Sequence, residues 1–137
     1  MSLGSTVDYP LLRDVVAKAE RESICVVCAD SNIGDIEYPA SYPTTLSVGK
    51  SKTYKRRKSF KYSKKTGIEM ILPDYPMYTT YLGGKYTTAS GTSLNAAISA
   101  GLLSLIIEKH IKSSEPMPNP QALYSEVGSL SYNPTIK

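Results

Sequence analysis

Gly91-Thr92-Ser93-Leu94-Asn95-Ala96-Ala97-Ile98-Ser99-Ala100-Gly101, followed by a nearly unbroken apolar run to Ile111, decides the fold. Almost every residue from Leu94 to Ile111 is apolar or small. Such a pattern predicts a helix with no polar face, and a helix of that kind belongs in a protein interior. Its opening is equally informative. The first turn of a helix has backbone N–H groups without intrahelical partners, and the dipole there favours negative charge. A serine at that point sits where an oxyanion would be stabilised, although serine is also a common N-cap. The most apolar part, Ala96 to Ile107, contains Ser99, Gly101 and Ser104. It falls short of the roughly 18–20 residues of a membrane span.

Upstream lie three short apolar runs. Ser23 to Ala29 contains Ile24-Cys25-Val26-Val27-Cys28-Ala29, Thr44 to Val48 is the second run, and Ile68 to Leu72, stopped by Pro73, is the third. Continuous runs of this length fit strands buried on both faces, as in a parallel sheet. Tyr9 to Glu22 carries Leu11, Leu12, Val15, Val16 and Ala19 at helical spacing, with Pro10 suited to the first turn. Asp30-Ser31-Asn32 ends the first strand, and Ile33 to Pro43 reads as loop. Pro76 to Ser90 reads as irregular, with a turn at Gly83-Gly84. Residues 113–120 form a proline-rich linker, and Gln121 to Val127 a short final helix. The order predicts an α/β layer fold. Three strands make a thin sheet for so apolar a helix, so the pattern implies further strands from outside this stretch.

The chain has 137 residues, 41% hydrophobic and 20% charged, which excludes wholesale disorder, collagen and coiled coil. Its net charge of +4 is unevenly spread. Residues 50–65 hold nine of the sixteen Lys and Arg and no acid, leaving seven bases against twelve acids elsewhere. This basic loop, with Lys55, Arg56, Arg57 and Lys58 at its centre and Tyr54, Phe60 and Tyr62 interleaved, has the composition to hold phosphates or an acidic partner. The plainer reading is a solvated insertion between strands. Cys25 and Cys28 fall three apart in a predicted strand, on opposite faces, and read as free buried thiols. The single histidine, His110, is far from both in sequence, so no zinc site and no other metal site is expected. Met1-Ser2-Leu3-Gly4-Ser5 reads as an added leader, giving 1–8 as leader or disordered start and 9–137 as the domain.

In order and spacing the chain resembles the subtilisin-like serine peptidases, the subtilases. Gly91 to Gly101 is similar to the family's G-T-S-M-A-x-P-H-V-A-G segment, which opens a long buried helix. Thr79-Thr80-Tyr81-Leu82-Gly83-Gly84-Lys85-Tyr86 resembles its S-T-L-P-G-N-K-Y approach, and Ile68 to Pro73 its L-D-V-M-A-P strand. Lys58-Ser59-Phe60 stands where A-S-F often stands. Tyr38 to Gly49 is similar to Y-P-A-x-Y-P-x-V-I-x-V-G, and Ile24 to Asn32 to VVVVAAAGN. The six segments keep one order from about residue 10 to 130.

The resemblance implies the C-terminal portion of a subtilisin-like three-layer α/β fold, with a parallel sheet and a buried central helix. It implies a serine endopeptidase with Ser93 as nucleophile and Asn32 as the oxyanion donor, beside the Ser93 N–H. Ala29, Asp30 and Ser31 would then line the substrate. The family's aspartate and histidine motifs have no match here. His110 lies about five turns from Ser93, so this chain alone is expected to be inactive. Asp30-Ser31 replaces the family's Ala-Gly, which would narrow the first specificity pocket or change its charge, and Ala97-Ile98 replaces its Pro-His. The expected partners are a peptide or protein substrate, the N-terminal half of the domain, and other copies through uncovered apolar surface, with no membrane. No cofactor is implied, although calcium is common in the family; no acidic loop matches a calcium site. Many subtilases are secreted, yet no signal is visible. Two other readings stand beside the enzyme: a non-catalytic relative binding peptide or protein, and a module binding nucleic acid or acidic partners through Lys50 to Lys65.

Overall fold

A computed structural model describes residues 1–31, 35–54, 59–63, 69–114 and 116–131. Helix α1 spans Pro10–Arg21, with proline in its first turn as its fixed φ allows. It ends where Ser23 turns left-handed, φ 61°, and the Ile24 N–H reaches back to Ala19 O at 2.8 Å. Strands β1 (Val27–Ala29), β2 (Leu46–Ser51), β3 (Lys61–Tyr62) and β4 (Met70–Pro73) form one sheet in the order β1-β2-β4-β3. β1, β2 and β4 are parallel, with Val27 opposite Leu46 and Val48 opposite Met70, while β3 runs antiparallel to β4. A separate antiparallel hairpin of β5 (Met77–Tyr81) and β6 (Lys85–Ala89) then leads into α2 (Thr92–Ser113). Helix α3 (Pro120–Ser129) closes the described chain, capped by the Asn119 side chain on the Ala122 N–H at 2.9 Å.

The core lies between the sheet and the two later helices. Val27, Ala29, Leu46 and Val48 alternate onto the face that meets Ala96, Leu103 and Ile106 of α2 and Leu123, Tyr124 and Val127 of α3. Cys28 and Ser47 take the opposite face, both buried. The Tyr124 hydroxyl accepts from the Val26 N–H at 2.8 Å, tying α3 to the start of β1. Burial pushes the pKa of this phenol well up. Gly128 admits the Tyr62 ring, since a Cβ there would lie 2.6 Å from it.

Three expectations change. Residues 1–8 are not a disordered start. Met1 lies along β1, its amino group donating to Val27 O and its carbonyl accepting from the Ala29 N–H at 2.8 Å. Ser5 bridges Tyr38, and Asp8 accepts from the Tyr42 hydroxyl at 2.7 Å. An edge strand leaves a row of unpaired N–H and C=O groups, and these residues satisfy part of it. Next, the segment read as irregular from Pro76 contains the β5–β6 hairpin. Last, α2 is covered on one side only, and its open side carries large apolar residues beside Glu108, Lys109 and Lys112. Ala96, Ser99, Leu103 and Ile106 are buried, whereas Ile98, Leu105 and Ile111 face solvent, Leu105 at 63%. By length and hydropathy α2 meets the threshold of a membrane-spanning helix. Its packing on β1, β2 and α3 is that of a core helix.

Candidate active-site half

The junction of β6 and α2 fixes Ser93. Gly91 caps the helix at φ 147°, a conformation only glycine adopts without strain. The Asn95 N–H returns to Gly91 O at 3.2 Å to start the helical ladder. The buried Asn95 side chain donates to Gly49 O of β2, also at 3.2 Å, and the Asn95 backbone carbonyl accepts from the Ser99 hydroxyl. The first turn is thereby tied to the sheet. Thr92 is buried, and Ser93 beside it is exposed, its hydroxyl bonded to no described residue. No acidic residue lies in that turn, so none within it offsets the positive end of the helix dipole.

Ala29 ends β1, and Asp30 and Ser31 follow it at the carboxyl ends of the parallel strands. Ligands of open α/β sheets gather at those ends. The Asp30 N–H donates to Val48 O at 2.9 Å, extending the ladder by one bond. Its carboxyl is half-buried, and burial raises its pKa, opposed by a hydrogen bond from the Ser31 backbone. Ser31 is buried. Asn32 lies outside the described residues, as do Lys55, Arg56, Arg57 and Lys58. Two of the described lysines flanking that basic centre, Lys50 and Lys61, are engaged within the chain, while Lys52 is exposed. Lys50 pairs with Asp74 at 3.5 Å, and Lys61 lies 5.1 Å over the Tyr54 ring.

His110 stands at the far end of α2, its Nε2 2.7 Å from Glu126 Oε2 on α3. Seventeen residues at 1.5 Å rise separate it from Ser93 by about 25 Å, so it is no base for that hydroxyl. Both cysteines are free; Cys28 is buried, Cys25 half-buried, and desolvation raises both thiol pKa values. Among the described residues no three His, Cys, Asp or Glu converge as a metal site. An apolar pocket of about 260 Å³ opens between α2 and β4, lined by Phe60, Met70, Leu72, Tyr75, Ile98 and the Asn95 side chain. Sequence reasoning did not anticipate it, because Phe60, Tyr75 and Ile98 converge only through the fold.

The chain is thus an α/β fold with an exposed serine in the first turn of a core helix, on the side where Asn95 meets β2. The model of the subtilase family matches residues 1–123, and the chain belongs to that family. It is 34% identical to an intracellular serine protease of Paenibacillus polymyxa, over 93% of this chain and 41% of the relative. It is 35% identical to subtilisin DY of Bacillus licheniformis, over 80% of this chain and 42% of the relative. Among solved structures, the S41 psychrophilic protease superposes with a TM-score of 0.74 at 24% identity, covering 94% of this chain and 47% of that one. The chain thus spans less than half the length of these relatives. The fold is that of the subtilisins, and the match begins at residue 1, where the structure shows Met1 paired with β1.

Proposed function

We propose that these 137 residues are the C-terminal part of a subtilisin-like serine endopeptidase that hydrolyses peptide bonds through an acyl-enzyme on Ser93. One observation carries the reading: Ser93 is exposed at the start of a helix whose first turn is held to β2 by Asn95. The Ser93 Oγ attacks the scissile carbonyl carbon while its proton passes to a histidine supplied from outside this chain. The resulting oxyanion is met by the Ser93 N–H and the Asn32 side-chain amide. Collapse expels the amine, which takes the proton, and water then releases the acid from the ester. Loss of the Asn32 amide would cost about 10²–10³ in kcat, the range known for such a donor in subtilisin.

Without an adjacent base a serine hydroxyl is a poor nucleophile, so the 137 residues alone hydrolyse nothing. The histidine and aspartate belong to an N-terminal half, which is then this chain's first partner. Ala29, Asp30 and Ser31 border the substrate, where Asp30 adds a carboxyl. That same Asp30-Ser31 pair favours a second reading, a relative that binds peptide without cleaving it. A module for nucleic acid would rest on Lys52 and the basic residues outside the described ones, since Lys50 and Lys61 already have partners within the chain.

A fluorophosphonate probe on the longer protein decides between them. The enzyme predicts an adduct on Ser93, absent in Ser93→Ala. A protein that carries upstream D-x-G and H-G-T segments yet stays unlabelled at Ser93 would overturn it.

A further inference from the structure

The β5–β6 hairpin is not used by the chemistry above. Tyr78 pairs with Thr88 and Thr80 with Tyr86, so these four side chains share one face, and all four are exposed. The Tyr78 and Tyr86 rings stack at 5.2 Å and 9°. Tyr81 and Leu82, the latter 80% exposed, stand at the turn, which Gly83 and Gly84 close at φ 70° and 71°. The opposite face, Met77, Thr79, Thr87 and Ala89, is half-buried. Lys85 is the hairpin's single charge. A flat aromatic pair edged by threonine hydroxyls suits an apolar side chain carried on an extended peptide.

The hairpin is also covalently tied to the site. β6 ends at Ala89, four residues before Ser93. Fully extended chain spans at most roughly 3.6 Å per residue, which puts Thr88 within about 18 Å of Ser93 and Tyr86 within about 25 Å. A bound peptide rises about 3.3 Å per residue, so it covers this distance in at most about eight residues. The patch comprises about six side chains. A stable dimer draws on roughly 20–30 residues from each partner, which argues for a peptide over a second copy.

We propose that the Tyr78–Tyr86 face is a specificity surface that holds an apolar or aromatic side chain of the substrate, no more than about eight residues from the scissile bond. Its placement relative to that bond rests on Ser93 being the nucleophile; the capture of a peptide side chain does not. The test uses the longer protein carrying Ser93→Ala and fluorescent peptides of Ala and Gly, with one Phe moved through successive positions. Fluorescence anisotropy is expected to show about a three- to tenfold gain in affinity at one position, the range of an aromatic pair. In the double variant Tyr78→Ser, Tyr86→Ser the Phe-to-Ala ratio at that position falls to about one. The proposal is overturned if no position gives a gain, or if the gain survives the double variant. Two further results would also overturn it: tyrosines 78 and 86 resisting iodination in the longer protein, or a dimer that the double variant dissociates. Failure of Ser93 in the wild-type protein to take a fluorophosphonate, with the tyrosine-dependent gain intact, would remove the catalytic reading and leave the peptide surface standing.

Discussion

Both sides of α2 carry large apolar residues, and they are differently covered. On one, Leu103 and Ile106 are almost wholly buried against β1, β2 and α3; on the other, Leu105 and Ile111 are about two-thirds exposed. A surface helix normally pairs an apolar stripe with a polar face, whereas the open side of α2 mixes Ile98, Leu105 and Ile111 with Ser104, Glu108, Lys109 and Lys112. The hydrophobic effect makes no distinction between the two sides, so the difference lies in what covers them. The chain spans less than half of its relatives, and the N-terminal half proposed above would supply a second layer over the open side. The proposed site has the same form: Ser93 is held in position here, and under the proposal its base comes from the N-terminal half.

The comparison can be broken at several points. The largest effect is expected on the covered side. Leu103→Ala in the longer protein should cost about 3 kcal/mol in urea unfolding, the usual loss for a buried leucine. A cost below about 1 kcal/mol would mean that α2 does not pack on the sheet as described. Gly128→Ala drives a methyl into the Tyr62 ring and should cost about 1–3 kcal/mol, the range for overpacking. Pairing it with Tyr62→Ala should recover part of the loss. An additive double variant would contradict the contact.

The clasp between α2 and α3 gives a pH signature. His110, then Lys109, hold the Glu126 carboxyl below its ordinary value of 4.5. A depressed acid stabilises the fold above its unfolded pKa, and that contribution is lost as pH falls through the folded value. The urea midpoint should therefore fall below pH 4.5, and less steeply in Glu126→Gln. Identical pH profiles would remove the clasp. The smallest effect belongs to the open side: Leu105→Ser should change the stability of the 137-residue chain by less than about 0.5 kcal/mol.

Much of this was legible in the sequence, for reasons that differ by element. The run after Ser93 and the short apolar runs around Val27, Leu46 and Met70 carry their own periodicity, so helix, strands and parallel sheet could be read directly. Ser93 at the helix start and Ala29 to Ser31 at a strand end followed from those elements. The hairpin was missed although its signal is present. Tyr and Thr recur through Met77–Tyr81 and Lys85–Ala89 around a glycine turn, a hairpin pattern, but Pro76 and the paired glycines suggested irregular chain. Met1 to Ser5 have no periodicity; their place comes from hydrogen bonds to Val27, Ala29 and Tyr38, which no local pattern encodes. The open side of α2 was equally illegible, because composition says that a helix prefers burial and not whether a neighbour is present.

The most direct test of the central claim is the reactivity of a cysteine at position 105, in a Cys25→Ser, Cys28→Ser background, toward a small maleimide. In the 137-residue chain Leu105→Cys should label at nearly the rate of a free thiol. In the longer protein, with the second layer in place, the same thiol should label at least tenfold more slowly. Equal rates in the two would contradict the account, leaving α2 half-bare in the whole molecule and this chain something other than one side of a two-sided domain.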